Sequence, residues 1–243
     1  MKKPGKNDIY LGPEGQKLIR VTKITGQLDK PALLYWAVNC YEQYMLQLMD
    51  ERMAQGKNPD YISTKLVYAM IEAGKKNFRK VSQDALDVGS SVHDAIHLYL
   101  QTGEEPGKNI DDRVLSAFVA FLDFMKEHKM ETRGCEVTLY GDGYAGTCDW
   151  YGLMDGERTI VDWKSSKGIY DEYKYQIAAY RRAFNMDKKR VKSLGGLITR
   201  SGILRLDKET GLPEWEDTSD SHSKDEQAFL ALLSFYHLTH NME

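Results

Sequence analysis

The chain has 243 residues, of which 42% are hydrophobic and 28% are charged, and its formal net charge is −3. These values are ordinary for a globular protein with a core of substantial size. They exclude a protein drawn to nucleic acid or to anionic membranes by its overall charge, so any site for a polyanion must be a local basic groove.

Targeting and redox signals are few. The first residues, MKKPGKND, carry positive charge without an apolar stretch, and no apolar run approaches the length of a membrane span. The three cysteines, Cys40, Cys135 and Cys148, are far apart and form no CxxC pair. This pattern is typical of a reduced, intracellular chain. We therefore expect a cytoplasmic location and no membrane partner.

Helical periodicity dominates the first 130 residues. Residues 1–31 are polar and are predicted to form an extended segment. The helix predicted over 32–54 is expected to be buried on much of its surface. The helix predicted over 62–78 ends in four cations that suit the helix dipole, Lys75, Lys76, Arg79 and Lys80. The predicted helices cover residues 32–54, 62–78, 84–100 and 114–128.

The sequence changes character after residue 130. The runs CEVTLY, YAGTCDWYGLM and RTIVDWK are rich in β-branched and aromatic residues and are separated by Asp142-Gly143 and Asp155-Gly156. Such dipeptides predict tight hairpins, because a type I′ turn needs positive φ at both central residues. A helix over 172–184, strands in LGGLITR and ILRLD, a polar loop over 211–226 and a helix over 225–238 follow. The fold class is therefore α/β with an N-terminal helical region.

Three acidic side chains meet if both hairpins have two-residue turns. In that register Asp149 lies opposite Asp162 and Glu136 lies opposite Asp149, while Lys164 lies two residues farther along the same face. A slip of one residue would scatter the set. The register thus predicts a row of carboxylates across three strands, with an ammonium beside it.

Facing carboxylates repel each other and are costly to desolvate. Lys164 offsets only one charge, so the pattern favours a divalent cation, and hard oxygen ligands suit Mg²⁺ or Mn²⁺. The lysine would then lower the pKa of a bound water or stabilise charge in a transition state. The alternative is that the turns are longer and the acids point into solvent at the strand ends.

These residues resemble a known family. GTCD, then VDWK on the next strand, then a helix with QIAAY are similar to the motifs of the PD-(D/E)XK nuclease superfamily, and most of all to its RecB-like exonuclease branch. GSSVHDAI resembles the additional histidine motif of that branch, and VTKITGQLDKPALLYWA is similar to phage and mitochondrial genome-maintenance exonucleases. The resemblance covers roughly residues 20 to 200 and departs at Cys148, where the superfamily has proline.

The resemblance implies a restriction-endonuclease-like core, with a central mixed sheet flanked by helices, and a role for each matching residue. Lys164 would be catalytic, and Gln176 and Tyr180 would position DNA or a metal-bound water; alternatively, their helix simply packs into the core. The implied metal ligands are Asp149, Asp162, His93, the carbonyl of Trp163 and, less directly, Glu136. Some relatives hold an iron–sulfur cluster through four cysteines, and this chain, with three, is expected to lack one.

A zinc hydrolase is the rival interpretation. His93 and His97 are four residues apart on a predicted helix, as in the HExxH motif of zinc metalloproteases. Asp94 stands where that motif has glutamate, however, and no third ligand follows at a family spacing. His97 is therefore interpreted as an ordinary helix residue. Gly89, one turn before His93, leaves room for another element to approach His93.

Basic and aromatic residues near the predicted site would line a path for DNA. Phosphate contacts from such residues give salt-dependent affinity without sequence preference, and aromatic rings stack on unpaired bases. Solvated surface is the usual alternative for such residues. The predicted DNA-binding residues are Lys167, Tyr173, Arg181 and Arg182.

The sequence thus predicts a single nuclease domain over 1–243. It comprises a mainly helical region (1–130), a catalytic sheet with the QxxxY helix (131–210), and a polar loop with a C-terminal helix (211–243). The expected activity is Mg²⁺- or Mn²⁺-dependent hydrolysis of DNA, as an exonuclease acting on ends in recombination, repair or replication in a bacterial or phage-infected cell. By analogy, a recombinase or a single-strand-binding protein would be a partner. A DNA-binding or assembly module with a decayed site is the second hypothesis.

Overall fold

The structure is a computed structural model that describes residues 9–57, 63–107 and 109–240. The segment MKKPGKND and the helix break predicted at Pro59 lie outside these residues. The chain divides into two compact units, one made of Met1–Leu28 with Gly89–Glu243 and the other of Asp29–Val88.

The larger unit contains a mixed β-sheet, with seven strands among the described residues. Six strands follow the order β1-β2-β4-β5-β6-β7, and β3 pairs with β4. The pairs β2–β4 and β5–β6 are parallel and the others are antiparallel. The strands are β1 (Ile9–Leu11), β2 (Lys17–Arg20), β3 (Met130–Tyr140), β4 (Tyr144–Met154), β5 (Glu157–Lys164), β6 (Arg200–Leu206) and β7 (Pro213–Asp217).

Helices cover both faces of this sheet. On one face α1, α5 and α7 pack together, and Phe229 of α7 lies 4.8 Å from Tyr144 of β4 between ring centroids. On the other face Phe121 of α4 packs edge-on against Trp163 of β5 at 5.4 Å. The described helices are α1 (Val21–Thr25), α2 (Pro31–Ala54), α3 (Thr64–Thr102), α4 (Asp112–Glu127), α5 (Asp171–Met186), α6 (Lys188–Leu194) and α7 (His222–Thr239). The α/β class predicted from the sequence is confirmed.

The smaller unit is a pair of helices, α2 and the first part of α3. Trp36 packs against Phe78 at 5.4 Å, and the Tyr41 hydroxyl donates a hydrogen bond to the carbonyl of Ile71. The prediction that α2 is buried on much of its surface is wrong, since none of its residues is buried. Because α2 packs against a single helix in its unit, side chains such as Leu34 stay exposed.

The two helices predicted over 62–78 and 84–100 are one continuous helix, α3. The residues between them, RKVSQ, contain neither proline nor glycine, so the helix has no reason to end there. The cations at 75, 76, 79 and 80 therefore lie within a helix and not at its end, which corrects the dipole interpretation.

Residues 9–31 contribute more structure than predicted. β1 and β2 form an antiparallel pair, and β2 brings the buried residues Leu18 and Ile19 into the sheet. The short helix α1 follows directly and buries Val21 and Ile24. Two apolar residues in a polar segment gave too weak a signal for a strand.

Two further predictions near the C-terminus are wrong. LGGLITR is not a strand, because α6 ends at Gly195 in the left-handed conformation (φ 80°) and the next strand begins only at Arg200. The predicted polar loop contains β7, which pairs with β6. Trp215 explains this strand, since its ring packs 5.5 Å from Phe124 while the acids beside it, Glu214 and Glu216, pair with cations.

Both predicted hairpins have two-residue loops. At the second, Asp155 (φ 55°) and Gly156 (φ 87°) both have positive φ, as a type I′ turn requires. At the first, Gly141 and Tyr144 close the loop by a 2.9 Å backbone hydrogen bond, but only Gly143 has positive φ, so this turn is not type I′. The registers predicted from both turns are confirmed beside the turns, where Leu139 lies opposite Gly146 and Met154 lies opposite Glu157. The predicted pairs, Glu136 with Asp149 and Asp149 with Asp162, are not among the ladder pairs of these described strands, and the register of β3 against β4 shifts between Thr132 and Gly134.

None of the helices in the described residues combines the length and the apolar content that crossing a bilayer requires.

Candidate metal centre

The candidate centre lies where β4 changes partner. β3 runs along one edge of β4, so β2 and β5 share the other edge: β2 pairs with it at Ala145, and β5 pairs from Trp150 onward. Asp149 lies in the interval between them. Its Oδ2 accepts a 2.7 Å hydrogen bond from the backbone N–H of Trp163, which ties the acid to β5 in place of a ladder bond. The change of partner along β4 thus leaves the Asp149 carboxylate buried within the sheet, beside the backbone N–H of Trp163.

The regular alternation of side chains breaks at the same place. Cys148 and Tyr151 both pack into the core cluster under α5, although residues three apart in a regular strand point to opposite faces. On the neighbouring strand, Glu136 has a positive φ of 51°, which is costly for a residue with a side chain. At this irregularity the side chains of Asp149 and Glu136 both lie close to His93 of α3.

His93 of α3 completes a group of three possible metal ligands. Its Nδ1 lies 3.2 Å from Oδ1 of Asp149 and 3.9 Å from Oε1 of Glu136. One ligand atom of each residue lies within 4.8 Å of the others. The side chain of Asp149 is only 8% exposed, whereas His93 and Glu136 are 26% and 20% exposed. The group is therefore open on one side, as an ion or a substrate requires.

The electrostatics of this group fit a place for a cation. Burial alone would lower the pKa of His93, but the Asp149 carboxylate outweighs it and raises that pKa above the usual 6.5. Burial would raise the pKa of Asp149, and His93 and Lys164 overcome it, so this pKa is lowered. The Asp149 carboxylate thus favours positive charge at this point of the structure. A divalent ion would supply positive charge there in place of the imidazole proton.

Asp162 is engaged differently from the sequence prediction. Among the described residues it does not belong to the group of three ligands. Its Oδ1 accepts a 3.1 Å hydrogen bond from the amide nitrogen of Gln176, and Nζ of Lys164 lies 2.5 Å from its Oδ2. This second contact is an ion pair between two largely buried groups. Gln176 also donates to the hydroxyl of Tyr180 at 3.0 Å.

The charges on Asp162 and Lys164 depend on each other. Burial raises the pKa of Asp162 to about 6, and the ammonium of Lys164 only partly offsets it. Burial would lower the pKa of Lys164, but Asp162 and Asp149 outweigh it, so the pKa of Lys164 is raised and its charge is stabilised. A largely buried ammonium beside a carboxyl group whose pKa is raised by burial is typical of a functional site.

The remaining predicted residues are placed as follows. The structure records the N–H of Trp163, not its carbonyl, in contact with Asp149. Lys167 is exposed in the loop after β5. Arg181 bonds to the carbonyl of Ile198 and the hydroxyl of Ser201, and Arg182 pairs with Glu226. Contacts of Lys167, Arg181 and Arg182 with DNA stay predictions.

The second histidine of the rival zinc motif is not drawn into the centre. His97 lies one turn after His93 on α3, and within the part of the chain that the structure describes it belongs to no group of three possible ligands. The interpretation of Gly89 agrees with the structure, because a methyl group at that position would lie 3.4 Å from the hydroxyl of Ser165, in the loop that follows β5.

Gly146 supports the centre and was missed from the sequence. A Cβ atom there would lie 2.5 Å from Cε1 of Tyr180, so only glycine lets this buried ring pack on β4. The tyrosine in turn holds Gln176, which holds Asp162. The available signal was a glycine inside an apolar strand, which marks close approach of another element.

Gly146→Ala is expected to destabilise the protein by about 1–3 kcal/mol, because the added methyl group overpacks a buried site. It should also impair function, since Tyr180 must move away from Gln176. Gly107→Ala is the matched control, because a methyl group there meets no atom within 4 Å. Urea unfolding of the three proteins measures the effect, and equal stability of Gly146→Ala and the wild type would contradict the packing.

Metal affinity is expected to rise with pH, because ligation needs the neutral imidazole of His93 and so displaces a proton. The pKa of His93 is raised, so below it the apparent Mn²⁺ affinity should increase by about tenfold per pH unit from this proton alone. His93→Ala should flatten this dependence, and His97→Ala should retain it. Isothermal titration between pH 6 and 8 measures both, and the wild-type slope in His93→Ala would exclude His93 as a ligand.

The chain was compared with known proteins in two ways. Neither a scan against protein-family models nor a search of curated proteins found a match. The arrangement of the residues is therefore the basis for the functional proposal.

Proposed function

We propose that the protein is a metal-dependent deoxyribonuclease that hydrolyses phosphodiester bonds. One observation carries the proposal: His93, Glu136 and Asp149 offer three ligand atoms within 4.8 Å of one another, beside the ion pair of Asp162 and Lys164 on the next strand. The resemblance of GTCD, VDWK and QIAAY to PD-(D/E)XK nucleases supports the same chemistry, with a restriction-endonuclease-like core.

The donor set fits a hard divalent cation. Two carboxylates and one imidazole are acceptable to Mn²⁺ and, with water in the remaining positions, to Mg²⁺. His93, Glu136 and Asp149 would hold the ion, and Asp162 would join them if its Oδ2 turned away from Lys164. The ion would supply the polarisation of a phosphate oxygen and the acidity of an attacking water.

The protein's own residues would orient the reaction. Lys164 would place its ammonium against charge that develops on the phosphate, where a preorganised donor has the largest effect. Gln176 donates to both Asp162 and Tyr180 and so fixes the direction of the carboxylate. The N–H of Trp163 does the same for Asp149. Asp149 and Asp162 thus each have a neutral hydrogen-bond donor that restrains them.

The biological setting belongs to the same proposal. The enzyme would be an exonuclease that acts on DNA ends, including single-stranded ends, in recombination, repair or replication. It would work in the cytoplasm of a bacterial or phage-infected cell, with a recombinase or a single-strand-binding protein as a partner. Lys167 would contact the phosphate backbone near the site.

The decisive experiment compares linear with covalently closed circular DNA, single- and double-stranded, in Mn²⁺ and in Mg²⁺. Cleavage of linear DNA alone, abolished by a chelator, is the expected result. Cleavage of closed circles would replace the exonuclease with an endonuclease. No cleavage of any substrate, together with Mn²⁺ binding, would favour the decayed DNA-binding or assembly module.

Metal analysis addresses the remaining alternative. A zinc hydrolase would retain one equivalent of zinc through His93 and His97, and His97→Ala would lose it. The proposed nuclease would instead bind Mn²⁺ equally well with and without the His97 side chain.

A further inference from the structure

The aromatic ring of Tyr173 faces the ammonium of Lys164. Nζ of Lys164 lies 4.8 Å from the centroid of this ring, within the range of a cation–π contact. The same ammonium lies 2.5 Å from Oδ2 of Asp162. Two groups of different chemistry therefore restrain one cation, a carboxylate from β5 and a ring face from the first turn of α5.

The ring of Tyr173 is itself held in place. It packs against the core cluster under α5 and meets the ring of Tyr170 edge-on at 5.5 Å and 70°. Its backbone N–H donates to the carbonyl of Tyr170 at 2.9 Å, at the start of the helix. The packing therefore fixes the orientation of the Tyr173 ring.

A lysine in this position needs a second restraint. Its four-carbon chain has many rotamers and its ammonium has no preferred direction. Its contact with Asp162 is to Oδ2, whereas Oδ1 of that carboxylate accepts a hydrogen bond from Gln176. The carboxylate alone would leave the ammonium free to swing about Oδ2.

We infer that Tyr173 is a positioning residue, whose ring face holds the ammonium of Lys164 beside Asp162. The catalytic consequence of this role rests on the proposed nuclease function, whereas the contact itself does not. The role differs from the stacking on DNA that the sequence predicts for Tyr173, because the ring acts through the lysine and not on the substrate.

The contact is tested without any substrate. In metal-free protein labelled with ¹³C at the lysine ε-carbons, the Lys164 signal is assigned by its loss in Lys164→Arg. The ring should shift this signal upfield. Tyr173→Phe keeps the ring and should keep the shift, while Tyr173→Leu should return the signal to the position of the other lysines. An unchanged shift in Tyr173→Leu would overturn the inference.

The consequence is tested by cleavage kinetics on linear DNA. Tyr173→Leu should lower kcat by about tenfold and leave KM within about twofold of the wild-type value. Tyr173→Phe, which keeps the ring, should have the wild-type kcat. Tyr175→Leu is the control, because Tyr175 belongs to the same helix and packs against the same core cluster. It reports the loss of a tyrosine from α5 without loss of the ring at Lys164.

The outcomes separate the two proposals. A raised KM with wild-type kcat in Tyr173→Leu would mean that the ring binds DNA, and it would overturn the positioning role. Wild-type kinetics in Tyr173→Leu would overturn it as well. If the wild-type protein cleaves no DNA, the nuclease proposal fails, and the lysine spectrum alone still decides whether Tyr173 holds Lys164.

Discussion

Lys164→Met is expected to lower the rate of DNA cleavage by about 10²–10³-fold, the usual loss when one preorganised transition-state donor is removed. Methionine keeps an unbranched apolar chain in the space beside Asp162 and removes only the charge. The ammonium also lowers the pKa of Asp162, so its loss would let this carboxyl stay protonated to a higher pH. The assay should therefore cover pH 7 to 9.5, so that a shift of the pH profile is distinguished from a loss of rate at every pH.

Lys167→Met is the matched control for this substitution. It removes a lysine three residues later, from an exposed position in the loop after β5. Because Lys167 is proposed to contact the phosphate backbone, its loss should raise KM but leave kcat within about threefold of the wild-type value. Mn²⁺ binding by Lys164→Met, measured by titration, should stay close to the wild type. Cleavage by Lys164→Met at the wild-type rate would remove the lysine from the reaction.

Asp162→Asn is expected to abolish cleavage and to make the stability of the metal-free protein less sensitive to pH. The pKa of Asp162 is raised to about 6 from an ordinary 3.8, because burial penalises its charge. The folded state therefore holds this proton more tightly than the unfolded chain. The stability from this group is fully present below pH 3.8 and is lost as the pH rises through about 6. Asparagine, which has no charge, should escape that loss.

Asp149→Asn is the matched substitution with the opposite sign. The pKa of Asp149 is lowered, mainly because His93 and Lys164 overcome the cost of burial. Its ionised form thus stabilises the fold above the ordinary pKa of 3.8. Removing this charge leaves His93 without its carboxylate partner, which should cost on the order of 1–3 kcal/mol. Both variants should lose cleavage, but the Tm of Asp162→Asn relative to wild type should rise with pH, whereas Asp149→Asn should stay below wild type.

Thermal unfolding in chelator, from pH 4 to pH 8, measures the pair. Each kcal/mol corresponds to a shift of about 2–4 °C in Tm for a protein of this size. The difference between Asp162→Asn and wild type should grow as the pH rises through 6, because the other acids titrate alike in both proteins. A lower Tm for Asp162→Asn at pH 8 would mean that the Lys164 ion pair outweighs the burial of the carboxylate.

The unfavourable burial of the Asp162 charge indicates that this residue is present for function. A buried carboxylate that destabilises the fold is seldom retained for packing, since an apolar residue of similar volume stabilises more. Backbone strain at Glu136 adds to this cost, and its positive φ brings the side chain toward His93. Strain and unfavourable burial at one point of a sheet are features that functional sites share.

Local patterns in the sequence determined the two hairpins and hence the register of β3, β4 and β5. The dipeptides Asp142-Gly143 and Asp155-Gly156 each form a two-residue loop, although only the second is type I′. The side-chain period of a strand then sets which residues face each other. Helices α4, α5 and α7 followed from apolar periodicity. The resemblance to nuclease motifs singled out His93, Asp149, Asp162 and Lys164 for the same region.

Only the tertiary structure decided how these groups are shared. The division of partners along β4, with β2 before Asp149 and β5 after it, depends on a strand from residues 17–20 that the local sequence does not reveal. The break in alternation at Glu136 and Asp149 also has no local signal, because it follows from the packing of neighbouring strands. As a result His93 meets Glu136 and Asp149, while Asp162 pairs with Lys164 and Gln176. Long-range packing selects among these partners, since residues far apart in the chain become neighbours only when the sheet and helices assemble.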